Sequence, residues 1–168
     1  SRKYNLTGVK LLISGGAALP PADWYAFNSR FGVEILECYG SSETGRIASN
    51  LPDERIPGSP GRILPGVQAK LSPNNEVLIK SAGVFPGYYK NPAATHHSKL
   101  PGGWWRSGDF GEFQNGRLIL KGRLQEKIRK QGYTISPRDI EWALLKHPKI
   151  TETYVIGQQL PDNQNDKK

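Results

Sequence analysis

Two apolar segments on either side of a helix-like segment constrain the fold of this chain most. Val9–Ser14 and Val33–Tyr39 have the composition of buried strands. Pro20–Pro21 between them favours a helix start. Three aromatic residues share one face of that predicted helix: Trp24, Phe27 and Phe31. The order strand, helix, strand predicts a parallel pair with a right-handed crossover, and ligands collect at the carboxyl ends of such strands.

The middle of the chain, from Leu51 to about Gly116, has a different texture. Five proline–glycine pairs occur in this region, and short apolar stretches such as Val67–Leu71 and Glu76–Ile79 lie between them. This spacing is typical of short strands joined by tight turns. We therefore predict a small β subdomain, barrel-like in character, over about residues 51–122.

The last part of the chain predicts a mixed α and β unit. Two short strands should lie around Gly122, and a helix should begin at Ser136, with Pro137 in its first turn. Its expected buried stripe comprises Ile140, Ala143 and Leu144. Thr153–Ile156 is predicted to form a final strand.

Charge and cysteine content narrow the classes of partner. The net charge is +8, and residues 117–149 hold nine Lys or Arg against three Asp or Glu. A concentrated positive field favours an anionic partner, either nucleic acid or a phosphate-rich small molecule, although a solvated basic face has the same composition. The segment has no aromatic stacking pair on adjacent strands, which argues against nucleic acid. Cys38 is the single cysteine, so no internal disulfide forms, and it is expected to be a small apolar core residue.

The sequence predicts neither a histidine metal site nor a membrane span. His96–His97 has no metal-ligand spacing and is expected in a solvated loop. No apolar run approaches the roughly 20 residues that span a bilayer, so no membrane span is expected.

Two polar motifs follow apolar strands and carry groups suited to a nucleotide. Tyr39–Gly45 combines an aromatic ring, a flexible glycine, three hydroxyls and the Glu43 carboxylate. A ring can stack on a base, hydroxyls can contact phosphate oxygens, and a carboxylate can hold Mg²⁺ beside phosphates. In Gly103–Gly111, Asp109 is placed to accept hydrogen bonds from two ribose hydroxyls. Each motif alone is also compatible with an ordinary polar turn.

Five motifs occur in a fixed order, and together they identify a family more specifically than any one of them does. They are Gly-Gly-Ala, Tyr-Gly-x-Ser-Glu, Gly-Trp-x-x-Ser-Gly-Asp, Gly-Arg-Leu-x-x-x-Ile and Gly-x-x-Ile-x-Pro-x-x-Ile-Glu. From about Val9 to Ile156 the chain resembles the adenylate-forming, AMP-binding superfamily, in its acyl-CoA synthetase branch. The resemblance implies an α/β and β mixed fold. Residues 1–122 would be the C-terminal part of the large AMP-binding domain, and residues 123–168 the start of the C-terminal α+β lid domain.

The resemblance implies a nucleotide-binding role for the first two motifs. Gly15, Gly16 and Ala17 would line the adenine and acyl pocket. Tyr39 would stack on adenine, followed by the flexible Gly40.

The same resemblance implies catalytic roles for two further residues of the second motif. Ser42, where the family usually carries Thr, would keep the hydroxyl that meets the α-phosphate. Glu43 would hold Mg²⁺ through the phosphates, so Ser42 and Glu43 are the predicted catalytic residues.

The later motifs would complete the site. Asp109 would bind the ribose hydroxyls, in a motif where Ser107 replaces the usual Thr, and Arg123 would add a ribose contact. Gln125 matches the hinge position, where the family usually has Asp or Lys. Gly132 matches the loop that faces the pantetheine tunnel.

The activity implied is that of a ligase that joins a carboxylic acid to coenzyme A with ATP and Mg²⁺, acting in the cytoplasm. The family's phosphate-binding loop would lie upstream of Gly15 and its catalytic lysine downstream of Lys168, so the chain alone is expected to be inactive. Ile135–Glu141 favours acyl-CoA ligases over peptide-synthetase adenylation domains. That second class, and a non-catalytic adenine-nucleotide-binding or interaction module, remain the alternatives.

Overall fold

The chain divides into two compact units, Ser1–Leu120 and Lys121–Lys168. The computed structural model describes residues 4–130 and 133–158. Within those ranges no helix is both long enough and apolar enough to cross a membrane.

The first unit begins with the predicted strand–helix–strand. Strand β1 (Leu12–Ser14) pairs in parallel with β2 (Ile35–Ser41), and helix α1 (Pro21–Phe31) connects them. The buried Trp24 of α1 donates its indole N–H to the carbonyl of Ile35 at 2.8 Å, which ties the helix to β2. The helix ends at Gly32, whose φ of +65° is the left-handed conformation that favours glycine.

The predicted β region is continuous with that pair. Among the described residues, nine strands form one sheet in the order β1-β2-β3-β4-β9-β8-β6-β5, with β7 pairing β8. The strands after β2 are β3 (Gly45–Ser49), β4 (Gly61–Ile63), β5 (Gln68–Leu71), β6 (Glu76–Lys80), β7 (Lys99–Leu100), β8 (Trp104–Gln114) and β9 (Arg117–Arg123). The fold class is confirmed as mixed α/β and β, dominated by a sheet with few helices.

The core of the first unit lies among the antiparallel strands. Its fully enclosed members come from three strands, β3, β6 and β9: Ile47, Ala48, Val77, Ile79 and Leu118. Burial of each large aliphatic side chain stabilises the fold by about 1.5–3 kcal/mol. This packing is what holds the strand ends that carry the motif residues.

Two predictions in this unit were wrong. Cys38 is half-buried and not a core residue, because its sulfur lies against Gly15, which has no side chain to cover it. His96 and His97 are exposed, as expected, but they belong to helix α2 (Pro92–Ser98) and not to a loop. Asn91 caps this helix by accepting a hydrogen bond from the backbone N–H of Ala94 at 3.0 Å. The N-cap and the following Pro92 stabilise the first turn of a helix too short to show a periodic pattern.

The second unit contains the hairpin β10 (Ile128–Lys130) and β11 (Tyr133–Ile135), followed by helix α3 (Pro137–Leu144). Ser136 caps α3 as predicted, because its side chain accepts from the backbone N–H of Asp139 at 3.2 Å. The Ser136 hydroxyl also donates to the carbonyl of Lys121 at 2.6 Å, which joins the helix start to the end of β9.

Two predictions for this unit were wrong. Thr153–Ile156 forms no strand, and the backbone N–H of Val155 instead donates to the Glu141 carboxylate at 2.8 Å. The predicted buried stripe, Ile140, Ala143 and Leu144, is exposed. Both differences have one cause: in the described residues of this unit, a two-stranded hairpin and an eight-residue helix offer too little surface to pair or cover these segments.

Candidate functional site

The first motif forms an exposed loop immediately after β1. Gly15, Gly16 and Ala17 are all exposed, and Gly16 has a φ of +90°. A Cβ atom on Gly15 would lie only 2.7 Å from the sulfur of Cys38, so this position accepts no side chain without displacing Cys38. The close approach brings the first motif next to the residue that precedes Tyr39.

The second motif forms the turn between β2 and β3. Ser42 is exposed at the turn, and Glu43 is half-buried. Gly40 lies at a bulge in the pairing of the two strands, where a Cβ atom would be 2.2 Å from the carbonyl oxygen of Gly45. Thr44 is 2% exposed, and its hydroxyl lies 3.0 Å from that of Ser41. A buried threonine and an obligatory glycine therefore shape the turn that presents Ser42 and Glu43.

The third motif meets the second through a direct hydrogen bond. The phenol of Tyr39 on β2 donates to the Oδ2 atom of Asp109 on β8 at 2.7 Å. Inside the β8 segment, the hydroxyl of Ser107 accepts from the backbone N–H of Asp109 at 3.0 Å. The residues predicted to hold the base and the ribose thus lie side by side, although 70 positions separate them in sequence.

Glu43 has a partner that the sequence analysis did not identify. The hydroxyl of Tyr88 donates to its Oε1 atom at 2.9 Å, and the backbone N–H of Phe85 donates to its carbonyl at 2.8 Å. Burial raises the pKa of Tyr88, and the hydrogen bond to Glu43 and the charge of that carboxylate raise this pKa further. Tyr88 therefore stays protonated and remains a donor to Glu43 at neutral pH.

The remaining predicted residues belong to the second unit. Arg123 is exposed at the end of β9, and Gln125 is exposed in the 3₁₀ turn Leu124–Glu126. Gly132 lies outside the described residues. These positions stay predictions for ribose, hinge and pantetheine roles.

The groups in the first unit fit an adenosine nucleotide and its metal ion. An aromatic ring can stack on a base, and a carboxylate in contact with that ring can accept hydrogen bonds from the adjoining ribose hydroxyls. Across residues 4–130 and 133–158, no three His, Cys, Asp or Glu side chains group as a metal site. Mg²⁺ with a nucleotide commonly takes one or two protein carboxylates together with phosphate oxygens and water, so the single carboxylate of Glu43 is compatible with such an ion.

Sequence reasoning also missed Glu76, a buried acid at the start of β6. It accepts hydrogen bonds from Arg106 and from the backbone of Gly108, both within three residues of Asp109. The available signal was small: Glu76 is a charged residue directly before three apolar ones, Val77, Leu78 and Ile79.

Comparison with known proteins identifies the family of the chain. The family model described as "AMP-binding enzyme" matches residues 1–89. The sulfoacetate–CoA ligase of Cupriavidus necator is 36% identical over 92% of this chain and 33% of its own length. The mitochondrial malonate–CoA ligase ACSF3 of Mus musculus is 34% identical over 92% of this chain and 31% of its own length. The chain thus spans about a third of the length of these curated relatives.

Solved structures of the same kind superimpose on the chain. The anthranilate–CoA ligase AuaEII, solved with anthranoyl-AMP, gives a TM-score of 0.85 at 29% identity, over 93% of this chain and 32% of its own. ATP-bound MatB from Rhodopseudomonas palustris gives 0.81 at 30% identity, over 88% and 32%. The motifs, the fold and these matches lead to one conclusion: this chain belongs to the AMP-binding enzyme family.

Proposed function

We propose that this chain is part of an ATP-dependent acid–CoA ligase. Such an enzyme converts a carboxylic acid and ATP to an acyl-adenylate and pyrophosphate, and then transfers the acyl group to the thiol of coenzyme A with release of AMP. The observation that carries the proposal is the hydrogen bond between Tyr39 and Asp109, which assembles a base-binding ring and a ribose-binding carboxylate from two distant motifs. The relatives named above are CoA ligases, which supports the second half-reaction.

The proposed roles divide the nucleotide among the residues of the first unit. Tyr39 stacks on adenine, Asp109 accepts from the ribose hydroxyls, and the Ser42 hydroxyl contacts the α-phosphate. Glu43 holds Mg²⁺, which neutralises phosphate charge when bound. Further positions line the pocket: Gly15, Gly16, Ala17 and Gly40.

The proposed roles of the second unit concern the later step. Arg123 adds a contact to the ribose, Gln125 is the hinge, and Gly132 faces the pantetheine arm of coenzyme A. Residues 1–122 then belong to the large AMP-binding domain and residues 123–168 to the lid. Because the chain covers a third of its relatives, we assign the activity to a longer protein and expect none from these 168 residues alone. We propose a cytoplasmic location for that longer protein.

The decisive assay uses the full-length protein that contains this chain and a panel of carboxylic acids. Acid-dependent exchange of pyrophosphate into ATP reports the first half-reaction, and CoA-dependent release of AMP reports the second. The proposal expects both with at least one acid. Exchange without any CoA dependence would favour a carrier-linked adenylation domain, and no exchange with any acid would favour a non-catalytic module.

Asp109→Ala tests the proposed nucleotide site. Hydrogen bonds to a charged acceptor contribute roughly 1.5–3 kcal/mol, and about 1.4 kcal/mol corresponds to a factor of ten, so the KM for ATP should rise at least tenfold. Asp53→Ala, which removes an exposed turn carboxylate of the same unit, is the matched control and should leave this KM unchanged. A lower melting temperature with an unchanged KM in Asp109→Ala would instead identify Asp109 as a structural turn residue.

A further inference from the structure

Glu76 is a charged side chain in an enclosed position. It is 3% exposed, although it stands at the start of β6, in a strand whose next three residues are apolar and buried. Removing a carboxylate from water is unfavourable unless donors surround it. The position of those donors therefore indicates what this side chain does.

All the described donors to Glu76 come from one short piece of β8. The Nε atom of Arg106 donates to Oε2 at 3.0 Å and to Oε1 at 3.3 Å, and its Nη2 atom lies 2.9 Å from Oε2. The backbone N–H of Gly108 donates to Oε1 at 3.2 Å. The carboxylate thus holds a side chain and a backbone amide that both lie within three residues of Asp109.

The pairing of β6 with β8 explains why this piece needs support. Leu78 pairs with Arg106 and Glu76 with Phe110, so two steps along β6 match four steps along β8. The surplus residues form a bulge that includes Gly108, with a φ of +72°, and Asp109. A bulge redirects side chains out of the regular pleat, and its unpaired amides need other partners. The Glu76 carboxylate supplies that partner for Gly108.

We infer that Glu76 is a positioning residue for nucleotide binding: it fixes the β8 bulge so that Asp109 faces the ribose. The inference rests on the proposed role of Asp109. Tyr39 contacts the carboxylate of Asp109, Ser107 contacts its backbone, and Glu76 anchors the backbone N–H of Gly108, the residue before it. Loss of the Glu76 anchor leaves the Asp109 side chain itself unchanged, but its carboxylate can then move away from the ribose hydroxyls.

The test compares ATP with 2′-deoxy-ATP in the full-length enzyme. If Asp109 binds both ribose hydroxyls, wild-type enzyme should show a KM for 2′-deoxy-ATP at least tenfold above that for ATP. Glu76→Gln keeps the shape of the side chain but places an amide against the donors of Arg106 and Gly108. It should raise the KM for ATP severalfold. It should also reduce the preference for ATP over 2′-deoxy-ATP, the ratio of the two KM values, to within about twofold of unity, and Asp109→Asn should do the same. The KM for the acid should not change, because the acid does not contact the ribose site.

Glu54→Gln is the matched control. Glu54 is also a carboxylate that pairs with arginine in the same unit, but its side chain is 42% exposed and its partners are Arg62 and Arg117. This variant should keep the KM for both nucleotides. The double variant Glu76→Gln/Asp109→Asn should bind ATP no more weakly than Asp109→Asn alone, since residues that act through one another are not additive.

The outcomes separate the inference from the proposed function. Suppose that Asp109→Asn abolishes the preference for ATP over 2′-deoxy-ATP, whereas Glu76→Gln retains this preference and only lowers the melting temperature. Glu76 is then structural, and the inference is overturned. If Asp109→Asn itself retains the preference for ATP, the proposed ribose-binding role of Asp109 is wrong, whatever the result for Glu76→Gln. Should Glu76→Gln not fold, Arg106→Lys replaces it, because lysine keeps the charge but lacks the planar fork. Arg106→Lys should also weaken the preference for ATP over 2′-deoxy-ATP, and an unchanged preference would equally overturn the inference.

Discussion

Tyr88→Phe removes a single oxygen atom from the network around Glu43. The ring of Tyr88 packs edge-on against Phe85, with centroids 5.0 Å apart, and lies 5.9 Å from Trp105, so the substitution keeps these contacts. It removes the hydrogen bond that the hydroxyl donates to Oε1 of Glu43 at 2.9 Å. The variant therefore isolates the contribution of one charge-assisted hydrogen bond to the β2–β3 turn.

The expected magnitude follows from charge and exposure. A hydrogen bond to a charged group contributes about 1.5–3 kcal/mol when it is shielded. Tyr88 is 36% exposed, so water replaces part of the interaction and the loss should be nearer ~1 kcal/mol. In a chain of 168 residues this corresponds to a fall in melting temperature of about 2–4 °C.

The assay is thermal unfolding followed by circular dichroism, with Tyr89→Phe as the control. Tyr89 is the next residue, is 87% exposed, and its ring lies 5.2 Å from the ammonium of Lys90. Removing the same atom there should change stability by less than about 0.5 kcal/mol. Equal shifts for the two variants would refute the reasoning, since they would show that the Glu43 contact adds nothing to stability.

The pH dependence gives an independent check on the same bond. Burial, then the hydrogen bond to Glu43 and its charge, raise the pKa of Tyr88 above its ordinary value of about 10. The folded protein therefore keeps a proton that the unfolded chain releases. The resulting stabilisation is fully present below about pH 10 and is lost as the pH rises through the folded pKa. The difference in unfolding free energy between wild type and Tyr88→Phe should stay constant up to about pH 10 and shrink above it; a difference that grows with pH would contradict this sign.

Two further predictions concern the turn and the hinge. Gly40→Ala should destabilise the protein by about 3 kcal/mol in denaturant unfolding, because the new Cβ would lie 2.2 Å from the Gly45 carbonyl oxygen, whereas Gly8→Ala, with no atom within 4 Å, should have little effect. Gln125→Pro in the full-length enzyme fixes a backbone angle in the proposed hinge and should slow thioester formation more than pyrophosphate exchange. Equal loss of both rates would argue against a hinge at Gln125.

Local features were predictable from the sequence, and long-range ones were not. The strand–helix–strand unit and the Ser136 cap depend on residues close in sequence, and both are confirmed. The partners of Glu43 and Glu76 lie 45 and 30 residues away, so no local pattern identifies them. The failed strand at Thr153–Ile156 shows the converse: an apolar pattern supplies strand propensity, but a strand also needs a neighbour with which to pair.

The contact between Tyr39 and Asp109 shows that the curvature of the sheet and the assembly of the site are one structural feature. In the sheet order, β2 and β8 are four strand spacings apart, because β3, β4 and β9 lie between them. In a flat sheet that separation would be about 19 Å, which these two side chains do not bridge. Their 2.7 Å hydrogen bond therefore requires a strongly coiled sheet. Each end of the bond lies at a register shift, one at Tyr39/Gly40 and the other opposite Glu76–Leu78. Because bulges bend a strand and increase its twist, these two irregularities both curl the sheet and direct the two side chains toward each other. Gly40 permits the first bulge and Glu76 holds the second, so damage to either should separate the proposed base-binding ring of Tyr39 from the proposed ribose-binding carboxylate of Asp109.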